Sequence, residues 1–254
     1  MQRYFLKLSY DGTNYHGWQS QENASTVQSE IEKALSVLLD RSVEITGAGR
    51  TDTGVHAKEY FAHFDIDENL DTKKIEDIVY RLNAILPDDI SIQKILPVAP
   101  DAHARFSAIS RTYRYYISRN KNPFTYGNSW NVFGKLSVGK MNEAAKILFE
   151  YNDFTSFSKL HTDVKTNNCK IFQAEWKEEN DLLIFTNTAD RFLRNMVRAI
   201  VGTLVDVGKE KIAVEDFRKI IESRNRGDAG YSVPAKGLFL ENIMYLENIF
   251  LKQE

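Results

Sequence analysis

The run Gly47-Ala48-Gly49-Arg50-Thr51-Asp52-Thr53-Gly54-Val55-His56-Ala57 limits most strongly what this chain can fold into. Three glycines, an arginine, an aspartate and a histidine share eleven residues, between two strand-like segments, Val43 to Thr46 and Tyr60 to Ile66. Glycine reaches backbone regions closed to other residues and lets a second segment approach closely. A carboxylate beside an arginine can be held ionised. Such a loop suits the presentation of one carboxylate, Asp52, to a ligand. The same composition also serves as an ordinary turn between strands.

Familiar phosphate-binding readings fail on detail. A P-loop ends in Gly-Lys-Ser/Thr, which is missing here. The dinucleotide fingerprint places its third glycine three residues after the second, whereas Arg-Thr-Asp-Thr separates Gly49 from Gly54 and a strand follows. Asp52, His56, His63 and Asp65 match no common metal-ligand spacing, and a strand would scatter them over two faces, so no metal is expected.

The chain has 254 residues, 43% of them hydrophobic, enough for one large or two modest domains. No apolar run reaches the ~18 residues of a membrane span. No signal-peptide pattern opens the sequence, and Cys169 is the lone cysteine, which leaves no internal disulfide framework; a cytoplasmic location is expected. Net charge is −2, from 33 basic and 35 acidic residues, but the charges are not evenly spread. Between Asp101 and Arg119 stand Arg105, Arg111, Arg114 and Arg119 against the single acid Asp101, with Phe106, Tyr113, Tyr115 and Tyr116 interleaved and Lys121 following. A nearly neutral protein can still carry one basic face suited to nucleic acid.

Periodicity divides the chain into two successive α+β units. The first expects a strand over Tyr4–Tyr10, a helix over Val27–Leu39 capped by Thr26, the two segments around Asp52, a helix from Asp71 or Thr72 to Pro87, and a strand over Ile90–Leu96. The second expects a strand over Thr112–Ser118, a long loop from Arg119 to Gly134 and a helix over Lys140–Tyr151. A hairpin of Ile171–Trp176 with Leu182–Asn187 follows, then helices over Arg191–Val207 and Ala213–Ser223, and a strand over Leu238–Leu246. The expected division is residues 1–107 and 108–254. On a helix from Arg191, the arginines 191, 194 and 198 share one side, opposite a wide apolar sector, and Arg198 is best placed for a buried partner.

Several stretches together resemble the TruA-type tRNA pseudouridine synthases. Gly49 to Ala57 is similar to the family's signature loop, and Tyr10-Asp11-Gly12-Thr13-Asn14-Tyr15-His16-Gly17-Trp18-Gln19 to its opening motif. Thr26-Val27-Gln28, Leu86-Pro87-Asp88-Asp89-Ile90, Ala104 to Ala108 and Arg111-Thr112-Tyr113-Arg114-Tyr115 follow in the family's order. So do Asp153 to Phe157, Phe192 to Arg198 and Pro234-Ala235-Lys236-Gly237-Leu238. Departures are Ser29, where the family often has Gly, and Tyr231-Ser232-Val233 before Pro234.

The resemblance implies an isomerase converting uridine to pseudouridine at positions 38–40 of the tRNA anticodon stem-loop. It implies two similar α+β domains with largely antiparallel sheets joined into one extended sheet, and an active-site cleft between them. It further implies a homodimer and no cofactor or metal. Asp52 matches the catalytic aspartate, Tyr113 the tyrosine that stacks on uracil, and Arg198 the basic partner of the carboxylate; Arg50 is a helper for substrate binding. Asp52 has three routes open: attack on C1′, attack on C6, or removal of a proton at C2′. Each needs an ionised, well-placed oxygen. A stacked target base must also be flipped out, at a few kcal/mol. Arg105, Arg114, Arg119, Lys121 and Arg191 are phosphate candidates. An RNA-binding module without catalysis and an enzyme for a small phosphorylated ligand compete with this reading; the first has no need of Arg50-Thr51-Asp52, the second none of the Arg/Tyr stretch.

Overall fold

The computed structural model describes residues 1–159 and 165–251. In chain order its first elements are β1 (Gln2–Tyr10), α1 (Val27–Leu39), β2 (Thr46–Gly47), β3 (His56–Ile66), α2 (Thr72–Ile85) and β4 (Ile90–Pro97). Then come β5 (Ala108–Ser118), β6 (Trp130–Asn131), α3 (Val138–Ile147), β7 (Ile171–Glu179), β8 (Leu182–Ala189), α4 (Met196–Gly208), α5 (Val214–Ser223) and β9 (Leu238–Tyr245). The class is α+β. Two compact units divide it: residues 1–109 with the segment from Leu240 on, and residues 110–239. Among the described residues no helix is long and apolar enough to cross a membrane.

The first unit carries a sheet in the order β4-β1-β3-β9, in which β1 runs antiparallel to both β4 and β3, with β2 antiparallel beside β3. Successive side chains of a strand point to opposite faces; one face of β1 buries Tyr4, Leu6, Leu8 and Tyr10, and the other is half-buried around Phe5. Tyr4 stacks on Phe64 from one face, and Phe5 meets Phe61, Tyr245 and Phe250 on the other. Thr26 caps α1 as its sequence indicates, and Ser29 closes the capping box: its N–H donates to Thr26 Oγ1 at 3.2 Å while its Oγ accepts the Thr26 N–H at 3.2 Å. The departure from glycine at Ser29 thus supplies a cap. Asp71 caps α2. Asn83 of α2 bonds both the N–H and the C=O of Ile92 at 2.8 Å, which satisfies polar groups of β4, the end strand of this unit's order.

One expected strand is not a strand. Val43 and Ile45 are held by side chains of α1 instead of by a neighbouring strand: Ser36 Oγ accepts the Val43 N–H, Glu32 the Ile45 N–H, and Gln28 donates to Ile45 O. Pairing with β3 starts only at Thr46↔His63. β3 itself begins at His56, four residues before the apolar run that signals it.

The second unit orders its strands β5-β8-β7, antiparallel, with the short β6 parallel to the end of β5. β7 and β8 join through two residues, Asn180 and Asp181, at φ 50° and 65°. Positive φ at both positions is the requirement of the type I′ hairpin turn, and Asn and Asp tolerate it best after glycine. α4 is buried on nearly every side, as expected of a central helix, with only Arg198 and Asp206 partly open.

That helix starts later than its apolar period indicates. Asp190 Oδ1 accepts the N–H groups of Lys170 and Arg191 at 2.8 and 2.7 Å, and Asn195 stands in the left-handed region at φ 68°. Local capture of backbone donors by an Asp side chain competes with helix, so 191–195 is a turn. Arg191 and Arg194 therefore do not share a helical face with Arg198.

Candidate active site

Asp52 opens a tight turn between β2 and β3. The Val55 N–H donates to Asp52 O at 3.1 Å and Gly54, third in the turn, has φ 76°, the position and sign a type II turn reserves for glycine. Ahead of it, Gly49 is held by Tyr60, whose hydroxyl donates to Gly49 O and accepts its N–H. Asp52 is half-buried and Arg50 exposed.

The segment from Asp11 to Trp18 clasps this turn. The Trp18 N–H donates to Thr51 O at 3.3 Å, the Gly54 N–H to Tyr15 O at 3.4 Å, and the hydroxyls of Tyr10 and Thr51 lie 2.9 Å apart. Two glycines permit the approach: a Cβ on Gly12 would run into the Val55 carbonyl, and one on Gly17, at φ 92°, into Thr51 O. Tyr10, Trp18 and Tyr60 pack ring against ring beneath, with Trp18 and Tyr60 centroids 4.0 Å apart. The clasp is fixed in turn to the exit of α2. The Asp11 N–H donates to Asp89 O at 2.9 Å, Asn14 Nδ2 to Asp89 Oδ2 at 3.0 Å, and the Tyr15 hydroxyl to Asp89 Oδ1. Three of the family-like stretches of the first unit thus meet around one carboxylate-bearing turn.

His56, buried at the start of β3, faces two groups with one nitrogen: Nδ1 lies 3.2 Å from the Gly12 N–H and 3.0 Å from Asp11 Oδ1. It accepts from the first only when unprotonated and donates to the second only when protonated. Burial pushes the Asp11 carboxyl up, but bonds from Thr13 and the nearby His56 outweigh it and leave its pKa lowered.

In the second unit Tyr113 lies on β5, half-buried, with its ring edge-on to Phe192 at 5.1 Å. Arg111 Nη1 donates to Asp190 O at 2.8 Å and so steadies the turn before α4. Two residues along the same face of β5, the Tyr115 hydroxyl donates to Pro234 O at 2.8 Å. Arg198 Nε donates to the neighbouring carbonyl, Val233 O, at 2.7 Å. Burial drives the Tyr115 phenol up, with the Arg198 charge opposing. The segment leading into Pro234 reaches α4 because Gly202 leaves room for Tyr231 O. Its Ser232, a departure from the family pattern, accepts from Asn195 Nδ2 and Arg226 Nη2.

Opposite Tyr113 on β8 is Asn187, fully buried at 0% exposure, with neither side-chain amide atom hydrogen-bonded. Nothing in the sequence marks it, because an Asn in a β-prone run reads as a solvent-facing residue. Tyr60 is the other contributor that the pattern hides: it reads as a core aromatic, and its hydroxyl is what holds Gly49.

A model of the family described as tRNA pseudouridine synthase matches residues 8–107 and 144–245. The chain belongs to the tRNA pseudouridine synthases. It is 57% identical over 256 residues to the tRNA pseudouridine synthase A of Bacteroides thetaiotaomicron, covering 100% of this chain and 94% of that protein. Identity to the protein of that name from Parabacteroides distasonis is 53%, covering 98% of each. To the Staphylococcus aureus protein of that name it is 36%, covering 98% of this chain and 93% of the relative. Asp52 and Arg50 lie in the first matched region and Arg198 in the second, while Tyr113 falls between the two.

Proposed function

We propose that the chain isomerises uridine to pseudouridine in tRNA, at positions 38–40 of the anticodon stem-loop, working in the cytoplasm as a homodimer without cofactor or metal. Asp52 is its catalytic carboxylate; Tyr113, Arg198 and Arg50 bind the substrate. In the reaction the C1′–N1 bond breaks, the uracil turns, C5 joins C1′, the C5 proton leaves and N1 gains one. Nothing but protons enters or departs, so the chain's part is to flip the base, keep it in place and supply one positioned oxygen. Stacking suits a base that must rotate, because a flat ring imposes no single hydrogen-bond orientation; it is worth about 1–3 kcal/mol per base. An arginine near the reacting carboxylate keeps it ionised where it is desolvated.

The observation that carries this function is the clasped turn: the family-like opening segment bonds Thr51 and Gly54 on either side of Asp52, and a third family-like segment anchors that clasp through Asp89. A turn needed only to reverse the chain has no use for such bracing. The test is release of tritium from tRNA labelled at C5 of uridine. Release that equals the pseudouridine formed is expected; binding of tRNA with no release reduces the chain to an RNA-binding module.

A further inference from the structure

The loop from β5 to α3 is not used by the chemistry above, yet its composition is one-sided. From Arg119 to Ser137 it contains three cations, Arg119, Lys121 and Lys135, and no Asp or Glu. Three aromatic side chains stand out of it into solvent, Phe124 at 95% exposure, Phe133 at 69% and Tyr126 at 66%, and Phe124 and Tyr126 lie two residues apart. The loop has a defined shape. Phe124 N–H is held by Asn122 Oδ1 at 2.9 Å, Arg119 Nη2 donates to Gly134 O at 2.9 Å, and β6 pins its far end to β5. Lys236 Nζ lies 4.0 Å from the centroid of the Tyr126 ring and donates to Tyr126 O at 2.8 Å. Lys236 is two residues beyond Pro234, whose carbonyl accepts the Tyr115 hydroxyl next to the Arg198–Val233 bond. Two residues of chain span at most about 7 Å, so Lys236 joins the Tyr126 ring to the same short segment that holds the Arg198 and Tyr115 bonds.

Exposed flat rings beside cations, with no acid in the segment, are the pattern that binds unpaired nucleic acid: rings stack on bases and cations follow the phosphates. A second copy of the chain would fit less well, since a two-fold contact would set the all-cationic segment against itself. Building on the isomerase function proposed above, we infer that Tyr126 and Phe124 form a stacking shelf for unpaired tRNA nucleotides adjoining the target uridine, with Lys236, Arg119 and Lys121 on the phosphates. The shelf holds the loop strand after the target base has left the stack.

The test is the affinity for full-length tRNA by filter retention, together with KM and kcat for pseudouridine formation. The variants are Tyr126→Ser, Phe124→Ser, the conservative Tyr126→Phe, and Lys236→Gln over a salt series. Each Ser variant is expected to weaken binding and raise KM about tenfold, a typical loss for one stacked base, with the effect on KM and not kcat. Tyr126→Phe stays within about twofold of the parent. Lys236→Gln reduces the slope of log K against log salt by about 0.7, the value of one single-strand phosphate contact. Binding within twofold of the parent in both Ser variants overturns the shelf. So does a fall in sedimentation mass to that of one chain with tRNA affinity unchanged, which makes the patch a contact between copies. Failure of the parent protein to form pseudouridine refutes the isomerase function alone, because filter retention still reports on the shelf.

Discussion

Gly12→Ala perturbs Asp52 without touching it. An added Cβ at Gly12 would stand 2.7 Å from the Val55 carbonyl carbon, with the oxygen nearer still. Carbon atoms rest at about 3.5–4.0 Å, so the 11–18 segment and the turn must separate by close to 1 Å. Val55 passes that shift on, because its N–H closes the turn on Asp52 O. A reacting group displaced by about 1 Å loses about 10²-fold in rate, equal to about 2.7 kcal/mol in the barrier. The assay is kcat for pseudouridine formation on tRNA, per folded molecule, with circular dichroism confirming the fold at the assay temperature. Gly49→Ala is the matched control: it lies in the same loop, yet a Cβ there has no neighbour within 4 Å and no positive φ is involved. It is expected to stay within about twofold of the parent. A Gly12→Ala protein that keeps full kcat, or a Gly49→Ala protein that loses as much, refutes the clasp as the device that places Asp52.

Three further outcomes follow from the packing. Asn187→Leu keeps the branched outline of the side chain and removes two buried, unpartnered amide atoms, so stability in urea unfolding should rise by about 1–3 kcal/mol; a fall would mean that the amide is satisfied in solution. His63 accepts the Ala104 N–H through Nδ1, and burial, aided by Arg3 and His103, lowers its pKa from 6.5 to about 4. The unfolded chain thus takes up the proton first, and stability, complete above pH 6.5, should decline as pH drops toward 4. His63→Asn should flatten that part of the stability–pH curve, and an unchanged slope assigns it to other groups. Tyr113→Phe should retain tRNA binding better than Tyr113→Leu, because only the ring is needed for stacking; equal losses argue against a stacking role.

Local chemistry made much of the fold legible. The Thr26 cap set the start of α1, Asp71 or Thr72 that of α2, and the polar stretch from Lys177 to Asp181 between two β-prone runs the hairpin. The errors arose where distant groups compete for the backbone. Apolar spacing runs smoothly from Phe192 into α4, but Asp190, held by the Lys170 N–H from twenty residues earlier in the chain, accepts the Arg191 N–H at which a helix would have begun. Val43 and Ile45 have strand-like composition, and side chains of α1 take their backbone partners. At the site, the glycines around Asp52 indicated a special backbone. That Gly12 and Gly17 exist to admit Val55 and Thr51 is a contact across some forty residues, and composition is blind to it. The helical arginine face reduced to Arg198, whose half-buried guanidinium is aimed by Val233 O, again a partner far along the chain.

The most direct measurement is a nucleotide-resolution map of pseudouridine in unmodified tRNA incubated with the purified protein and, separately, with Asp52→Asn, each at a concentration where filter retention confirms bound tRNA. New pseudouridine confined to positions 38–40 with the parent protein, and none with Asp52→Asn despite equal binding, is the expected result. Pseudouridine formed by Asp52→Asn at the parental rate, or modification by the parent only outside the anticodon stem-loop, would contradict it.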